Sequence, residues 1–222
     1  IGGSAIGLAG LAGLWKREEL LAFFERDKRA AEQEPERALQ VDTRLYQSNG
    51  AQLSMLGFGA MRLPTHVIGG EKAIDEEVAE KMIDYAYRHG VNYFDTAYIY
   101  HGGKSEGFLG KALKKYPRDS FYLADKMPGY MVESLAQAKD IFQEQLDRCQ
   151  VEYFDNYFLH SLSKRDNFEK VYLQEGVLAY LQSEKARGRI RQLGFSYHGE
   201  VPFFYELMDN YQWDCVMIQL NY

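Results

Sequence analysis

Short, largely apolar runs recur along the chain at steps of about 24 to 37 residues. They are LGFGAMRLP from Leu56, VNYF from Val91, FYLA from Phe121, FDNYFL from Phe154, IRQLGF from Ile190 and CVMIQL from Cys215. Runs of this length, bounded by turn residues, read as strands buried on both faces. The segments between them carry helical spacing instead. In AIDEEVAEKMIDYAYRHG, Ile74, Val78, Met82 and Ala86 fall on one face, acids fill the first turn, and Gly90 marks the stop. KSEGFLGKALKKY, VESLAQAKDIFQEQLDRCQ, GVLAYLQSEKARGR and VPFFYELMDNY supply further helices, the first with Ser105 as its expected cap.

Six strands alternating with helices predict an α/β fold with a parallel sheet and helical crossovers. A doubly wound dinucleotide fold would carry G-x-G-x-x-G after its first strand; LGFGAMR has Gly57 and Gly59 but no third glycine in place. Instead, polar residues follow one strand after another. Asp95 and Tyr100 come after VNYF, Lys126 after FYLA, His160 after FDNYFL, and Ser196 after IRQLGF. In a closed barrel of parallel strands such positions converge on one rim. The expected architecture is therefore a (β/α)8 TIM barrel, truncated after about the sixth strand, with the last two strands beyond Tyr222. Ahead of it, VDTRLYQSNGAQLSML alternates around Asn49-Gly50 and predicts an N-terminal β-hairpin that plugs the far end.

The composition agrees with a globular domain: 46% hydrophobic and 26% charged over 222 residues. A net charge of -6 with no basic run argues against nucleic acid as a partner. Three segments are expected. Residues 1–15, uncharged and rich in Gly, Ala and Leu, read as a signal-like or anchor segment. Residues 16–40 read as a charged linker or surface helix without a core-sized apolar face, and residues 41–222 as the partial barrel. The first segment implies export or a membrane tether in a cell envelope, with a cytoplasmic location as the alternative. Cys149 continues a helical stripe with Leu135, Ala138, Phe142 and Leu146 and reads as core. Neither it nor Cys215 has metal-ligand spacing, and the histidines at 66, 89, 101, 160 and 198 form no H-x-H pair, so no metal site is expected.

A phenol, an amine, a carboxylate and an imidazole at one barrel mouth point to acid–base chemistry. The segment NYFDTAYIYHGGKSE, with LADK, YFLHS and GFS after the following strands, resembles the aldo-keto reductase family, and the resemblance runs from about residue 41 to the end. It implies reduction of an aldehyde or ketone, a small-molecule carbonyl substrate, by hydride from the reduced form of NADP or NAD. Tyr100 would be the general acid, Lys126 the ammonium that stabilises its anion, Asp95 the partner of Lys126, and His160 a hydrogen-bond donor to the carbonyl oxygen. The resemblance also implies cofactor contacts from Ser196 and Gln219 to the carboxamide, from Gly59, Ala60 and Met61 near the ribose, and from Asp95. Tyr197 and His198 depart from the Asn common after that serine. HGGKSEGFLG, LHS and GFSYHG look like a bacterial subgroup whose members often append a cysteine-rich, ferredoxin-like segment, which admits 4Fe-4S clusters beyond Tyr222 in the full-length protein. The competing class is a cofactor-binding barrel that senses redox state with little turnover.

Overall fold

The computed structural model describes residues 16–33, 40–46 and 50–219, which divide between a first unit ending at Tyr93 and a second beginning at Phe94. The signal-like segment 1–15 and the turn residue Asn49 lie outside the described residues.

In the first unit, helix α1 (Arg17–Gln33) forms where a charged surface helix is expected, but it does carry a packed face. Leu20 and Phe24, one turn apart, are buried against Val78 and Met82 of helix α2 (Glu76–Arg88), with Phe23 and Tyr85 alongside. The charges that mask this narrow stripe in the sequence serve as ion pairs to the same helix or its cap. Arg17 meets Asp75 at 2.7 Å, Lys81 meets Glu25, and Arg88 meets Asp27 at 3.0 Å. Asp75 caps α2 by accepting from the Val78 N–H. Ile74 precedes that cap and so ends a strand rather than extending the helical face.

The expected hairpin is present as β1 (Thr43–Tyr46) and β2 (Ala51–Ser54), antiparallel with Tyr46 opposite Ala51. LGFGAMRLP contributes only the short strand β3 (Phe58–Gly59), followed by a 3-10 turn over Ala60–Arg62. A second hairpin, β4 (Thr65–Ile68) with β5 (Glu71–Ile74), turns through Gly69 and Gly70.

In the second unit, which takes in β6 (Tyr93–Asp95) from Phe94 on, β6, β7 (Tyr122–Met127), β8 (Phe154–Leu162), β9 (Ile190–Tyr197) and β10 (Cys215–Ile218) follow one another in a single sheet. The pairs β7/β8, β8/β9 and β9/β10 are parallel. Helices α3 (Ser105–Leu113), α4 (Leu135–Cys149), α5 (Val177–Ala186) and α6 (Val201–Asn210) make the crossovers. Burial along β7, β8 and β9 is nearly continuous, the condition that makes such strands read as apolar runs. Helix α4 starts at Ser134, whose hydroxyl accepts from the Gln137 N–H, and buries Ala138, Phe142, Leu146 and Cys149. Cys149 is thus core, 1% exposed. Helix α3 approaches α4 closely because Gly110 has no side chain: a Cβ there would lie 2.5 Å from the Cys149 carbonyl oxygen.

Like the hairpin β4/β5, one helical element has no counterpart in the sequence reading. Between β8 and α5 a helical turn over Arg165–Asn167 runs into a π-helix over Phe168–Gln174, which buries Phe168, Val171 and Tyr172.

Candidate active site

Strand periodicity assembles the site. Lys126 is paired in register with Phe158, and Phe158 with Gly194, so these three positions share one face of the sheet. Two residues further on, the same face carries His160 and Ser196. Ser196 pairs with Met217, and Gln219 follows the last residue of β10. Lys126, His160 and Ser196 are within their strands near the C-terminal ends, rather than just past them, and Asp95 is the last residue of β6.

Lys126 is 2% exposed, and its Nζ donates to Asp95 Oδ1 at 2.6 Å and to the Thr96 carbonyl at 2.6 Å. The same nitrogen lies 5.0 Å from the centre of the Tyr100 ring. The rings of Tyr100 and His160 meet edge to face with centroids 6.0 Å apart. The four residues singled out from the sequence therefore form one cluster. Asp95 Oδ2 is buried and has no hydrogen-bond partner among the described residues.

Electrostatics sort the four groups. Burial lowers the Lys126 ammonium, but Asp95 and then Tyr100 outweigh it and hold the amine above its ordinary value, so it is charged. Burial also pushes the Asp95 carboxyl up, against the pull of Lys126. The phenol of Tyr100 behaves differently from the expectation of an ammonium-lowered acid. Lys126 does pull it down, yet burial is the larger effect and leaves it above 10. His160 is pushed down to about 3 by burial and then by Lys126, so its imidazole is neutral at ordinary pH.

Behind the site, a buried network grips the backbone of Lys126. Its N–H donates to Asp125 Oδ1 at 2.8 Å, and its carbonyl accepts from Gln145 Nε2 at 3.0 Å. Gln145 in turn donates to Glu106, which also accepts from Arg148. Burial, followed by the charge of Glu106, holds the Asp125 carboxyl well above the usual carboxylate range.

The remaining sequence-predicted residues have mixed positions. Ser196 is buried, and its hydroxyl accepts from the Ser161 N–H at 2.7 Å. Ser161 has φ 56 and sits where the β8/β9 register shifts between Leu159 and Leu162, a bulge next to His160. Gln219 is exposed. Gly59, Ala60 and Met61 belong to the first unit, Ala60 buried and Met61 56% exposed. Ser105 does not cap α3; it is the first helical residue, buried, with its hydroxyl 3.0 Å from that of Thr96.

Sequence reasoning missed Tyr130, whose hydroxyl lies 3.2 Å from His160 Nδ1. Its only signal is its place in KMPGY, four residues past Lys126. At the opposite ends of the strands, a cavity of about 330 Å³ lined by Leu113, Tyr116, Phe121, Leu123 and Tyr153 includes none of the candidate residues. Among the described residues no helix is long and apolar enough to cross a membrane.

A parallel α/β sheet with a buried lysine–carboxylate pair, a tyrosine and a neutral histidine at one set of strand ends defines a class of protein suited to proton transfer at a polar bond. The family model described as "Aldo/keto reductase family" matches residues 55–222, and the chain belongs to that family. It is 31% identical over 162 residues to an L-galactose dehydrogenase of Arabidopsis thaliana, covering 71% of this chain and 49% of that protein. It is similar to a solved aldo-keto reductase of Bacillus halodurans in its holo form, with 28% identity, a TM-score of 0.65, and 82% of this chain and 58% of that one covered. An aldo-keto reductase of Klebsiella pneumoniae solved in complex with NADPH shares the fold at TM-score 0.65 and 23% identity, over 83% of this chain and 59% of that one. The chain spans about half the length of the curated relatives it matches.

Proposed function

We propose that this chain forms part of a (β/α)8 barrel enzyme that reduces an aldehyde or ketone with NADPH or NADH. The observation that carries the reading is the position of Lys126 Nζ, 2.6 Å from Asp95 and 5.0 Å from the Tyr100 ring centre. The nicotinamide, when bound, supplies the hydride that no side chain can provide. The residues of this chain handle the proton and the oxygen. Tyr100 gives its hydroxyl proton to the developing alkoxide, and the buried Lys126 ammonium stabilises the phenolate left behind. Asp95 and the Thr96 carbonyl keep that ammonium in place. His160, neutral, donates a ring N–H to the same oxygen and orients it.

The groups present suit a nicotinamide nucleotide. Asp95 Oδ2 is a buried acceptor without a partner among the described residues, suited to a sugar hydroxyl. Ser196 accepts from Ser161 and keeps its own hydroxyl proton to donate to a carboxamide. The NADPH complex of the Klebsiella relative favours NADP as the nucleotide.

The test is steady-state kinetics of the full-length protein with NADPH and NADH over a panel of aldehydes and ketones. Carbonyl-dependent nucleotide oxidation is the expected result. Nucleotide binding without turnover across the panel would replace this reading by a redox-sensing barrel.

A further inference from the structure

We infer that Tyr130 is a positioning residue that donates a hydrogen bond from its hydroxyl to His160 Nδ1 and thereby holds the histidine in the tautomer with its proton on Nε2. The inference deepens the proposed function, because a neutral imidazole can donate to a substrate oxygen through only one nitrogen.

The geometry is specific. Tyr130 Oη and His160 Nδ1 are 3.2 Å apart, and the two rings lie 5.6 Å apart at 58°. Burial and the neighbouring Tyr100 hold the Tyr130 phenol above its ordinary value, so its hydroxyl is protonated and able to donate. A hydrogen bond accepted at Nδ1 leaves Nε2 as the ring's N–H. The ring nitrogen that works on the substrate is then set by the one that does not.

The turn that carries Tyr130 is fixed from below. Gly129–Met131 is a 3-10 turn directly after β7, and the π-helix over Phe168–Gln174 packs under it. Tyr172 of that helix donates to the Met127 carbonyl at 3.1 Å. Its hydroxyl comes so close to Gly129 that a Cβ there would lie 2.2 Å from it. The tyrosine is fully buried and cannot swing away, so only glycine fits. The helical segment between β8 and α5 therefore acts on His160 through Tyr172, the turn and Tyr130, a route with no step through the nucleotide.

The experiment is nitrogen-15 NMR of the His160 ring in the full-length protein and in Tyr130→Phe, paired with kinetics. The wild type is expected to show a protonated Nε2 and a bare Nδ1. Tyr130→Phe keeps the ring and its packing but removes one hydrogen bond, and should shift the tautomer ratio about tenfold toward Nδ1–H. In that variant kcat should fall several-fold while the nucleotide Kd stays unchanged. A proton on Nδ1 in the wild type, or a tautomer ratio that does not respond to Tyr130→Phe, overturns the inference. An unchanged kcat alongside a shifted tautomer also overturns the positioning role. A wild type with no turnover at all removes the reductase reading, and the tautomer measurement still judges Tyr130. Gly129→Ala provides an independent arm: if it leaves the protein folded, it should reproduce the tautomer shift with Tyr130 intact, and failure to do so contradicts the support assigned to Tyr172.

Discussion

His160 is the residue at which burial most clearly sets the chemistry. Its pKa is about 3 in the folded chain against an ordinary 6.5, because a buried imidazolium beside the Lys126 ammonium would be both desolvated and repelled. Between these two values the unfolded chain binds a proton that the folded chain refuses. Stability from this group is present above pH 6.5 and is lost as the pH falls toward 3. Thermal unfolding across this range should therefore give a Tm that drops less steeply with acid in His160→Gln than in the wild type; parallel profiles would contradict the assigned cause. Tyr100 presents the opposite balance, since burial raises the phenol more than Lys126 lowers it. In the reduction proposed above, an acid held in that state would stay protonated until negative charge develops on the substrate oxygen, which is when its proton is needed. The four clustered residues were legible because they come after successive apolar runs in a recognisable order. Tyr130 was not, because a single tyrosine among 17 carries no mark of the ring it touches. Nor was the bulge at Ser161, where a left-handed φ occurs without a glycine to announce it.

At the scale of elements, the strands and crossover helices of the second unit follow from pattern, and the failures have identifiable physical sources. Helix α1 hides a narrow apolar stripe, Leu20 and Phe24, inside a segment dense with charge, and its charges turn out to pair with α2 or its cap. The hairpin β4/β5 had a signal in Gly69-Gly70, but its strands THVI and EKAI pair two polar with two apolar residues and show neither an apolar run nor alternation. The helical segment over Phe168–Gln174 had one too: Phe168, Val171 and Tyr172 have helical spacing, but the stretch is too short to stand out beside the long apolar run before it. The packing of α3 on α4 depends on Gly110 in a way no periodicity reveals, since the contact is with the backbone of Cys149. Gly110→Ala should cost about 1 to 3 kcal/mol in chemical denaturation, because a methyl 2.5 Å from a carbonyl oxygen forces the helices apart. A loss below about 0.5 kcal/mol would mean that the helices shift without strain.

For the whole molecule, the family assignment and the arrangement of the parallel sheet agree, and the order Asp95, Tyr100, Lys126, His160 along the chain becomes one cluster in space. The sheet supplies position, burial supplies the electrostatic contrast between a charged amine and a neutral imidazole, and the network behind Lys126 fixes the strand that carries it. The central claim is that Tyr100 delivers the proton in carbonyl reduction. It is tested most directly by comparing kcat/KM of the full-length protein with that of Tyr100→Phe under saturating NADPH. The account predicts a loss of about 10²- to 10⁴-fold with the nucleotide Kd unchanged; a variant that reduces the carbonyl at the wild-type rate would contradict it.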